Sequence, residues 1–130
     1  MSEAQRWVLD ASAVLALLQG EPGADAVPER LAGAAICCVN LSEVAGELLD
    51  AGMPEAEARE AVEALQLEVL PFDEVLAWGA ARLRSQGKPL GLSLGDRACL
   101  ATGLRLRRPV LGADRAWTRL DLAVRVETLH

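Results

Sequence analysis

The sequence predicts an α/β fold, a three-layer α/β/α sandwich around a short central parallel sheet. Two observations predict it. Short apolar, β-prone runs alternate with longer helical segments along the 130 residues, which is the pattern of repeated strand and helix crossovers. The run Ala35–Val39 carries no charge, as expected for a strand that is buried on both faces of such a sheet. The length predicts one domain over residues 1–130.

Five short runs are the strand candidates. The first ends at Asp10 and the third ends at Pro71, a residue that cannot continue a hydrogen-bonded strand. If the strands are parallel, each connection between neighbours is a right-handed crossover. The predicted strands are Trp7–Leu9, Ala35–Val39, Leu67–Leu70, Pro109–Leu111 and Val124–Thr128.

The segments between these runs show helical spacing and helix boundary signals. Leu41, Val44 and Leu48 recur at the spacing of one helix face, Gly52 ends that helix, and Ser93 is a capping residue for a later one. The predicted helices are Ser12–Gln19, Ala24–Ala32, Leu41–Ala51, Pro54–Leu65, Asp73–Ser85, Ser93–Leu106 and Asp114–Leu120.

The first of these helices has an apolar surface wider than a core-facing stripe requires. Val14, Leu15, Leu17 and Leu18 make this surface. We therefore expect part of it to contact a second copy of the chain or a protein partner.

The charge balance limits the classes of function. The chain has 13 basic and 19 acidic residues, a net charge of -6, which argues against binding nucleic acid by bulk electrostatics. It does not exclude a metal-dependent nuclease, because a bound cation can supply positive charge.

The sequence also indicates the compartment. Its longest charge-free stretch, Leu31–Ser42, has 12 residues, whereas a membrane span needs about 18. The first residues show no secretory signal, so the expected location is the cytoplasm. Cys37, Cys38 and Cys99 lack metal-ligand spacing and are expected to be reduced core residues.

Four carboxylates lie where a parallel sheet forms its sites, beyond the carboxyl ends of the strands. Asp10 directly follows the first strand, Glu43 follows the second in the predicted first helical turn, and Asp114 follows the fourth. Asp96 lies in the first turn of the helix that Ser93 begins.

Each carboxylate alone is also explained as a helix cap, since carboxylates are favoured at helix N-termini. Together they would repel each other, and only arginines, Arg97 and Arg115, are adjacent to them in sequence. Such a cluster requires a cation, and oxygen ligands without thiol or imidazole favour Mg²⁺ or Mn²⁺. These ions activate water and polarise phosphoryl oxygens, which permits phosphodiester hydrolysis without a nucleophilic side chain.

At these residues the sequence resembles the PIN domain, and specifically the VapC-type toxins of bacterial and archaeal toxin–antitoxin pairs. The resemblance is carried by an ordered set of four segments that together reach nearly from end to end of the chain. They are Val8–Ala13, Val39–Val44, Leu92–Ala101 and Pro109–Trp117.

The resemblance implies a PIN-like fold and a metal-dependent endoribonuclease. It implies a Mg²⁺ or Mn²⁺ site, both catalytic and metal-binding, built by Asp10, Glu43, Asp96 and Asp114. In the family pattern Ser12 supports the first aspartate and Asn40 lies beside the second acid.

Three further residues bear on that site. Arg97 and Arg115 each follow a candidate ligand and are candidates for contact with RNA phosphates. Gly112 stands where the family usually has Thr or Ser. The loss of that hydroxyl predicts weaker support for Asp114.

The resemblance also implies partners. Besides the RNA substrate, a cognate antitoxin protein would wrap around the toxin and insert a segment, often with an arginine, into the acidic site. Homodimers are usual in the family, and no membrane contact is expected.

Two other classes of phosphoryl-transfer protein need residues that this sequence lacks. A phospho-accepting receiver domain needs a late lysine, and none follows Lys88. A haloacid-dehalogenase-like phosphatase needs an aspartate at the position of Ser12. A non-catalytic binding module, derived from a nuclease that has lost its activity, stays open as the alternative.

Overall fold

The computed structural model describes residues 5–130. Its five strands form one sheet in which all neighbouring strands are parallel. The strands are β1 (Val8–Leu9), β2 (Ala35–Cys37), β3 (Glu68–Leu70), β4 (Val110–Gly112) and β5 (Val126–Thr128). Their order across the sheet is β3-β2-β1-β4-β5, so the first strand of the chain lies at the centre.

Seven α-helices and three short 3₁₀ turns connect the strands within the described residues. The 3₁₀ turns are Ala24–Ala26, Lys88–Leu90 and Arg115–Arg119. The helices are α1 (Ala11–Gln19), α2 (Pro28–Leu31), α3 (Cys38–Asp50), α4 (Glu55–Glu63), α5 (Glu74–Arg82), α6 (Arg84–Gly87) and α7 (Leu94–Leu106).

Alternation along the strands divides the core between the two faces of the sheet. Leu9, Ile36 and Leu111 pack into the core that lies under α1 and α3. Val8 and Val110 pack into the second core, under α5 and α7. Because successive side chains of a strand point to opposite faces, these short strands supply both cores, and the predicted three-layer α/β/α sandwich is confirmed.

The five strands are confirmed in position, and the main differences lie at helix boundaries. The predicted strand Ala35–Val39 ends at Cys37, and α3 begins at Cys38, three residues before the predicted start. The neighbouring strand β3 pairs with only three residues of β2. The β-prone residues Cys38 and Val39 therefore have no ladder to join and enter the helix, where tertiary context overrides local propensity.

Three other predicted helices differ from the structure. Ala24–Ala32 is a 3₁₀ turn followed by the short helix α2. Asp73–Ser85 is divided at Leu83, which lies between α5 and α6. Asp114–Leu120 is a 3₁₀ turn rather than an α-helix.

The apolar surface predicted for α1 belongs to the core of the chain itself. Val14 and Leu15 are buried, and Leu17 and Leu18 are partly buried against the same core. The width of the surface has a plain cause, since α1 packs against β1, α3 and β4 at once. The expectation of a partner contact at Val14 is therefore wrong.

No helix between Gln5 and His130 is both long and apolar enough to cross a membrane. The three cysteines are free: Cys37 and Cys99 are buried and Cys38 is half-buried. Cys37 and Cys99 meet the expectation of reduced core cysteines. Cys38 instead accepts a hydrogen bond from the Phe72 backbone N–H at 3.1 Å.

Candidate active site

The fold brings the predicted carboxylates to the carboxyl edge of the sheet. Asp10 directly follows β1 and caps α1, and Asp114 follows β4 and caps the turn Arg115–Arg119. Asp96 lies in the first turn of α7. Glu43 was expected in a first turn as well, but α3 begins at Cys38, which places Glu43 in its second turn. Its position therefore owes nothing to helix capping.

Asp10 is the most deeply buried of these acids, with 7% of its surface exposed. Its Oδ2 accepts a hydrogen bond from the Ser12 hydroxyl at 2.6 Å and a longer one from the Ser12 N–H at 3.3 Å. Burial raises the pKa of Asp10 to about 6, and the charges of Asp96 and Glu43 add to the rise. A carboxylate here is costly unless positive charge is nearby.

Ser12 also connects Asp10 to the strand that leads to Asp114. Its hydroxyl oxygen accepts a hydrogen bond from the Ala113 N–H at 3.0 Å, besides donating to Asp10. One hydroxyl thus ties the start of α1 to the residue that precedes Asp114.

Asn40 joins Asp10 to Glu43. Its Nδ2 donates to Glu43 Oε1 at 2.9 Å and to the Gly95 carbonyl at 2.9 Å, and it lies 3.4 Å from Asp10 Oδ1. An amide nitrogen has only two hydrogens, and the two shorter bonds account for them. Asp10 Oδ1 therefore receives only a weak contact, and the buried Asn40 Oδ1 has no hydrogen-bond partner.

Gly95 makes room for the Glu43 carboxylate. A Cβ built at Gly95 would lie 2.7 Å from Glu43 Cδ and closer still to Oε2, nearer than real Cβ atoms approach. Any larger residue at position 95 would displace this carboxylate. Gly95 was not predicted as a site residue, although a glycine in the first turn of a helix, directly before an acid, was a visible signal.

Local capping bonds hold Asp96 and Asp114. Ser93 and Asp96 form a capping box, in which Asp96 Oδ2 accepts from the Ser93 N–H at 2.9 Å and Ser93 Oγ accepts from the Asp96 N–H at 3.1 Å. Asp114 Oδ1 accepts from the Ala116 N–H at 2.9 Å. The capping interpretation of these aspartates is thus confirmed, and each aspartate commits one carboxylate oxygen to its cap.

The four acids share one pattern. Each has one oxygen held by a strong hydrogen bond, whereas the other has at most the 3.4 Å contact of Asp10 within residues 5–130. None of the four is paired with an arginine or lysine of those residues, although six other ion pairs form among them. The site therefore keeps uncommitted carboxylate oxygens, which is what a hard cation would bind.

As the side chains stand, no group of three or more Asp, Glu, His or Cys residues among the described ones converges closely enough to hold a metal ion. The Asn40 amide is the donor that Asp10 and Glu43 share, and Ser12 donates to Asp10 alone. The donor set still fits Mg²⁺ or Mn²⁺, because its oxygens are carboxylates and amides, and because buried Asp10 has an oxygen that is scarcely hydrogen-bonded.

The packing of Trp117 explains why position 112 is occupied by glycine. A Cβ at this position would lie 2.6 Å from Cζ3 of Trp117, and the Trp117 side chain is fully buried. The indole ring occupies the space in which a threonine or serine side chain would stand. Core packing of Trp117 therefore explains the departure at position 112.

The two arginines adjacent to the acids lie in different settings. Arg97 is half-buried and donates from its guanidinium to the Ala80 carbonyl at 3.1 Å, which connects α7 to α5. Arg115 is exposed, in the first position of its 3₁₀ turn. Contact of either with RNA stays a prediction.

The sequence pattern that defines the PIN domain matches residues 7–122. The chain belongs to the PIN domain family. A search of curated proteins gave no significant match.

Solved structures similar to this PIN domain include chains of toxin–antitoxin complexes. One, from VapBC-5 of Mycobacterium tuberculosis, is 28% identical, with a TM-score of 0.65 over 96% of this chain and 98% of that one. A complex from Klebsiella pneumoniae gives 20% identity and a TM-score of 0.75 over 95% and 97%. VapBC2 of Rickettsia felis gives 11% and 0.74 over 95% and 98%. The last two show the fold alone.

Proposed function

We propose that this PIN domain is a Mg²⁺- or Mn²⁺-dependent endoribonuclease that hydrolyses RNA phosphodiester bonds, and that it acts as the toxin of a type II toxin–antitoxin pair in the cytoplasm. The observation that supports the nuclease is the shared pattern of the four acids. Each is anchored through one oxygen, and none of them is neutralised by a basic residue of the described chain.

In this proposal Asp10, Glu43, Asp96 and Asp114 hold the cation. When bound, Mg²⁺ or Mn²⁺ would polarise a phosphoryl oxygen and activate water. The carboxylates alone repel a phosphodiester, so RNA is expected to bind at this edge only when their charge is balanced.

The neighbouring residues position these acids. Ser12 fixes one oxygen of Asp10, Asn40 orients Glu43, and Gly95 leaves the space that the Glu43 carboxylate fills. Each acts on a carboxylate rather than on the substrate. Loss of such supporting groups around a metal site typically costs about 10- to 100-fold in activity or metal affinity.

The test is cleavage of a panel of structured RNAs by the purified chain, freed of any partner, with Mg²⁺, Mn²⁺ or EDTA. We expect discrete cuts that require metal and are absent with Asp10→Asn. Asp50→Asn, an exposed acid at the end of α3, is the matched control and should cleave like the parent.

A second readout does not depend on the RNA. Mn²⁺ should raise the melting temperature of the parent and of Asp50→Asn, because a ligand that binds only the folded chain stabilises it, and should not raise that of Asp10→Asn. Cleavage that persists in Asp10→Asn would contradict the proposal, as would the absence of both cleavage and metal binding in the parent.

That last outcome would favour the alternative, a non-catalytic PIN-like binding module. The observation in its favour is that the acids do not converge into a metal-binding group in this conformation. The same two measurements therefore separate the two functions.

The antitoxin partner is supported by an apolar groove of about 510 Å³ between α3 and α4. Leu49 and Val69 lie in it with 43% and 47% of their surfaces exposed. Glu63 lies at the same groove, whereas Glu55 is paired there with Arg59 at 2.9 Å. We therefore propose that the groove binds an apolar segment of the antitoxin with a basic residue beside Glu63. The product of a short adjacent gene should bind the parent chain and fail to bind Leu49→Glu.

The homodimer is a proposal from the family resemblance. The exposed apolar residues Val75 and Trp78, one turn apart on α5, are available for a contact between two copies. Light scattering should give a dimer mass for the parent chain and a monomer mass for Trp78→Glu. A dimer mass for both would contradict this surface.

A further inference from the structure

An arginine-lined cavity lies at the edge of the sheet opposite to the acidic site. It has a volume of about 540 Å³ and is lined by residues that directly precede strands, including Pro109 before β4 and Arg125 before β5. Arg107 and Arg108, which follow α7, complete its basic side. Because all strands are parallel, this amino edge and the carboxyl edge with the acids face away from each other.

The cavity concentrates positive charge in a chain whose net charge is -6. Three arginines line it, and no acidic residue does. The Arg125 guanidinium also lies over the Trp7 ring, 5.3 Å from its centroid. Arg108 is partly offset by Glu68 at 3.4 Å and Arg125 by Glu127 at 3.2 Å. Arg107 forms no ion pair with any described residue, which leaves one full charge for an anion.

The backbone at Arg107 has a conformation that suits glycine. The residue caps α7 in the left-handed conformation, with φ 55° and ψ 48°, where glycine is the usual residue. Its N–H donates to the carbonyls of Gly103 and Leu104, so the conformation is held in place. Gln66 has a similar φ of 54°, so the conformation alone does not mark Arg107 as functional, but it allows glycine to replace this arginine without strain.

Helix α7 fixes the distance between the two edges. Asp96 lies in its first turn and Arg107 directly follows its last residue. A helix of 13 residues is about 20 Å long. A nucleic-acid strand that rises about 3.4 Å per nucleotide needs about six nucleotides to reach from one end to the other.

We propose that this cavity binds the phosphodiester backbone of the RNA substrate, with Arg107 as its principal contact and Arg125 as a second one. The inference rests on the proposed ribonuclease function and narrows its substrate class. The enzyme takes RNA long enough to contact both edges of the sheet, and the basic edge supplies affinity that the acidic edge cannot. Oligonucleotides too short to reach both edges cannot contact the acidic site and this cavity at once.

The test is equilibrium binding in EDTA, where no cleavage is expected, so that the result does not depend on catalysis. The probes are fluorescent RNAs of 4 and 20 nucleotides, titrated at several salt concentrations. The central variant is Arg107→Gly, because glycine removes the charge and also suits the left-handed backbone. Arg59→Gln, an exposed arginine on α4, is the matched control.

We expect Arg107→Gly to weaken binding of the 20-nucleotide RNA about three- to tenfold and to reduce the slope of log K against log salt by about one phosphate contact. In EDTA the acidic edge repels RNA, so the 4-nucleotide RNA should also bind Arg107→Gly more weakly than the parent. The melting temperature of Arg107→Gly should stay equal or rise. Adding Arg125→Gln should reduce the slope further. Arg59→Gln should bind both RNAs like the parent.

Unchanged affinity and salt slope in Arg107→Gly would overturn the proposal. A DNA duplex that binds more tightly than the RNA and depends on Arg107 would overturn the assignment to RNA. A parent chain that binds long RNA through Arg107, but cleaves none with any metal, would contradict the proposed function and leave this contact standing.

Discussion

The inner and outer halves of the acidic site are held by different means. The inner half is Asp10, Asn40, Glu43 and Gly95, whose contacts join residues far apart in sequence. The outer half is Asp96 and Asp114, which are held by capping bonds within three residues of themselves. In the inner half Asp10, Asn40 and Gly95 are buried, and only the Glu43 side chain reaches the surface. In the outer half Asp96 is half-buried and Asp114 is exposed.

We therefore expect substitutions in the two halves of the site to have different effects. A change in the inner half should alter the pKa of Asp10 or the position of Glu43 with little effect on secondary structure. A change in the outer half should alter one ligand at a time. Four experiments distinguish the two halves, and the strongest effect is expected for the first.

The largest effect concerns the pH dependence of stability. Burial raises the pKa of Asp10 from 3.8 to about 6, so between these values the folded chain binds a proton that the unfolded chain releases. Metal-free stability should therefore fall by about 3 kcal/mol as pH rises through this window and stay level above it. Asp10→Asn should remove this fall, as measured by urea unfolding from pH 3.5 to 7.

Asp73 provides a control of opposite sign. Arg105 holds the pKa of Asp73 below its usual value, so its contribution to stability is present at neutral pH and lost as pH falls. Asp73→Asn should change the free energy of unfolding at the acidic end of the pH range. It should leave the fall in stability between pH 4 and 6 unchanged. A parent profile that does not fall between pH 4 and 6 would contradict the buried state of Asp10.

The next effect is on cleavage. Gly95→Ala should push the Glu43 carboxylate out of its place and lower the cleavage rate about 100-fold. Stability should hold or rise slightly, because alanine is favoured over glycine in helices by up to about 1 kcal/mol. Single-turnover cleavage and thermal unfolding measure the two effects. Gly46→Ala in α3, where a Cβ meets nothing within 4 Å, is the matched control and should cleave normally.

The third effect is on packing below the outer half. Gly112→Ala should destabilise the chain by about 2 kcal/mol, because its Cβ would enter the space of the buried Trp117 ring. Urea unfolding of Gly112→Ala, Trp117→Leu and the double variant gives a double-mutant cycle. We expect the double variant to lose less stability than the sum of the single ones. Additive losses would show that the ring does not exclude the Cβ.

The smallest effect is expected at Asp114. Asp114→Ser keeps a capping oxygen for the Ala116 N–H but removes one carboxylate, and should lower cleavage about tenfold. The Mn²⁺ concentration for half-maximal cleavage should rise, while the melting temperature without metal should hardly change. A complete loss of activity, like that expected for Asp10→Asn, would remove the distinction between inner and outer halves.

The features that depend on residues close together in the chain could be predicted from the sequence. The caps at Asp10, Ser93 and Asp114 were predictable because capping depends on residues within one helical turn. The five strands were predictable from apolar runs between turn residues. The capping interpretation of Glu43 was wrong, because the start of α3 depends on the length of the neighbouring strand, which the β-prone residues Cys38 and Val39 do not reveal.

The inner half could not be predicted as a geometry. Whether Asn40 contacts Asp10, Glu43 and the Gly95 carbonyl at once depends on three separate segments packing together. Local periodicity is silent on such contacts. The role of Gly112 was hidden for the same reason, since only the packed structure shows the Trp117 ring beside it.

The position of β1 at the centre of the sheet has a consequence for synthesis. Val8 and Leu9 pair with Val110 and Leu111. About a hundred further residues must therefore be synthesised after β1 before it can pair with β4. Asp10 and Ser12 acquire their link to residue 113 only then. A nascent chain that stops before β4 thus holds three of the four acids without the scaffold that aligns them, so the acidic site can form only after β4 has been synthesised.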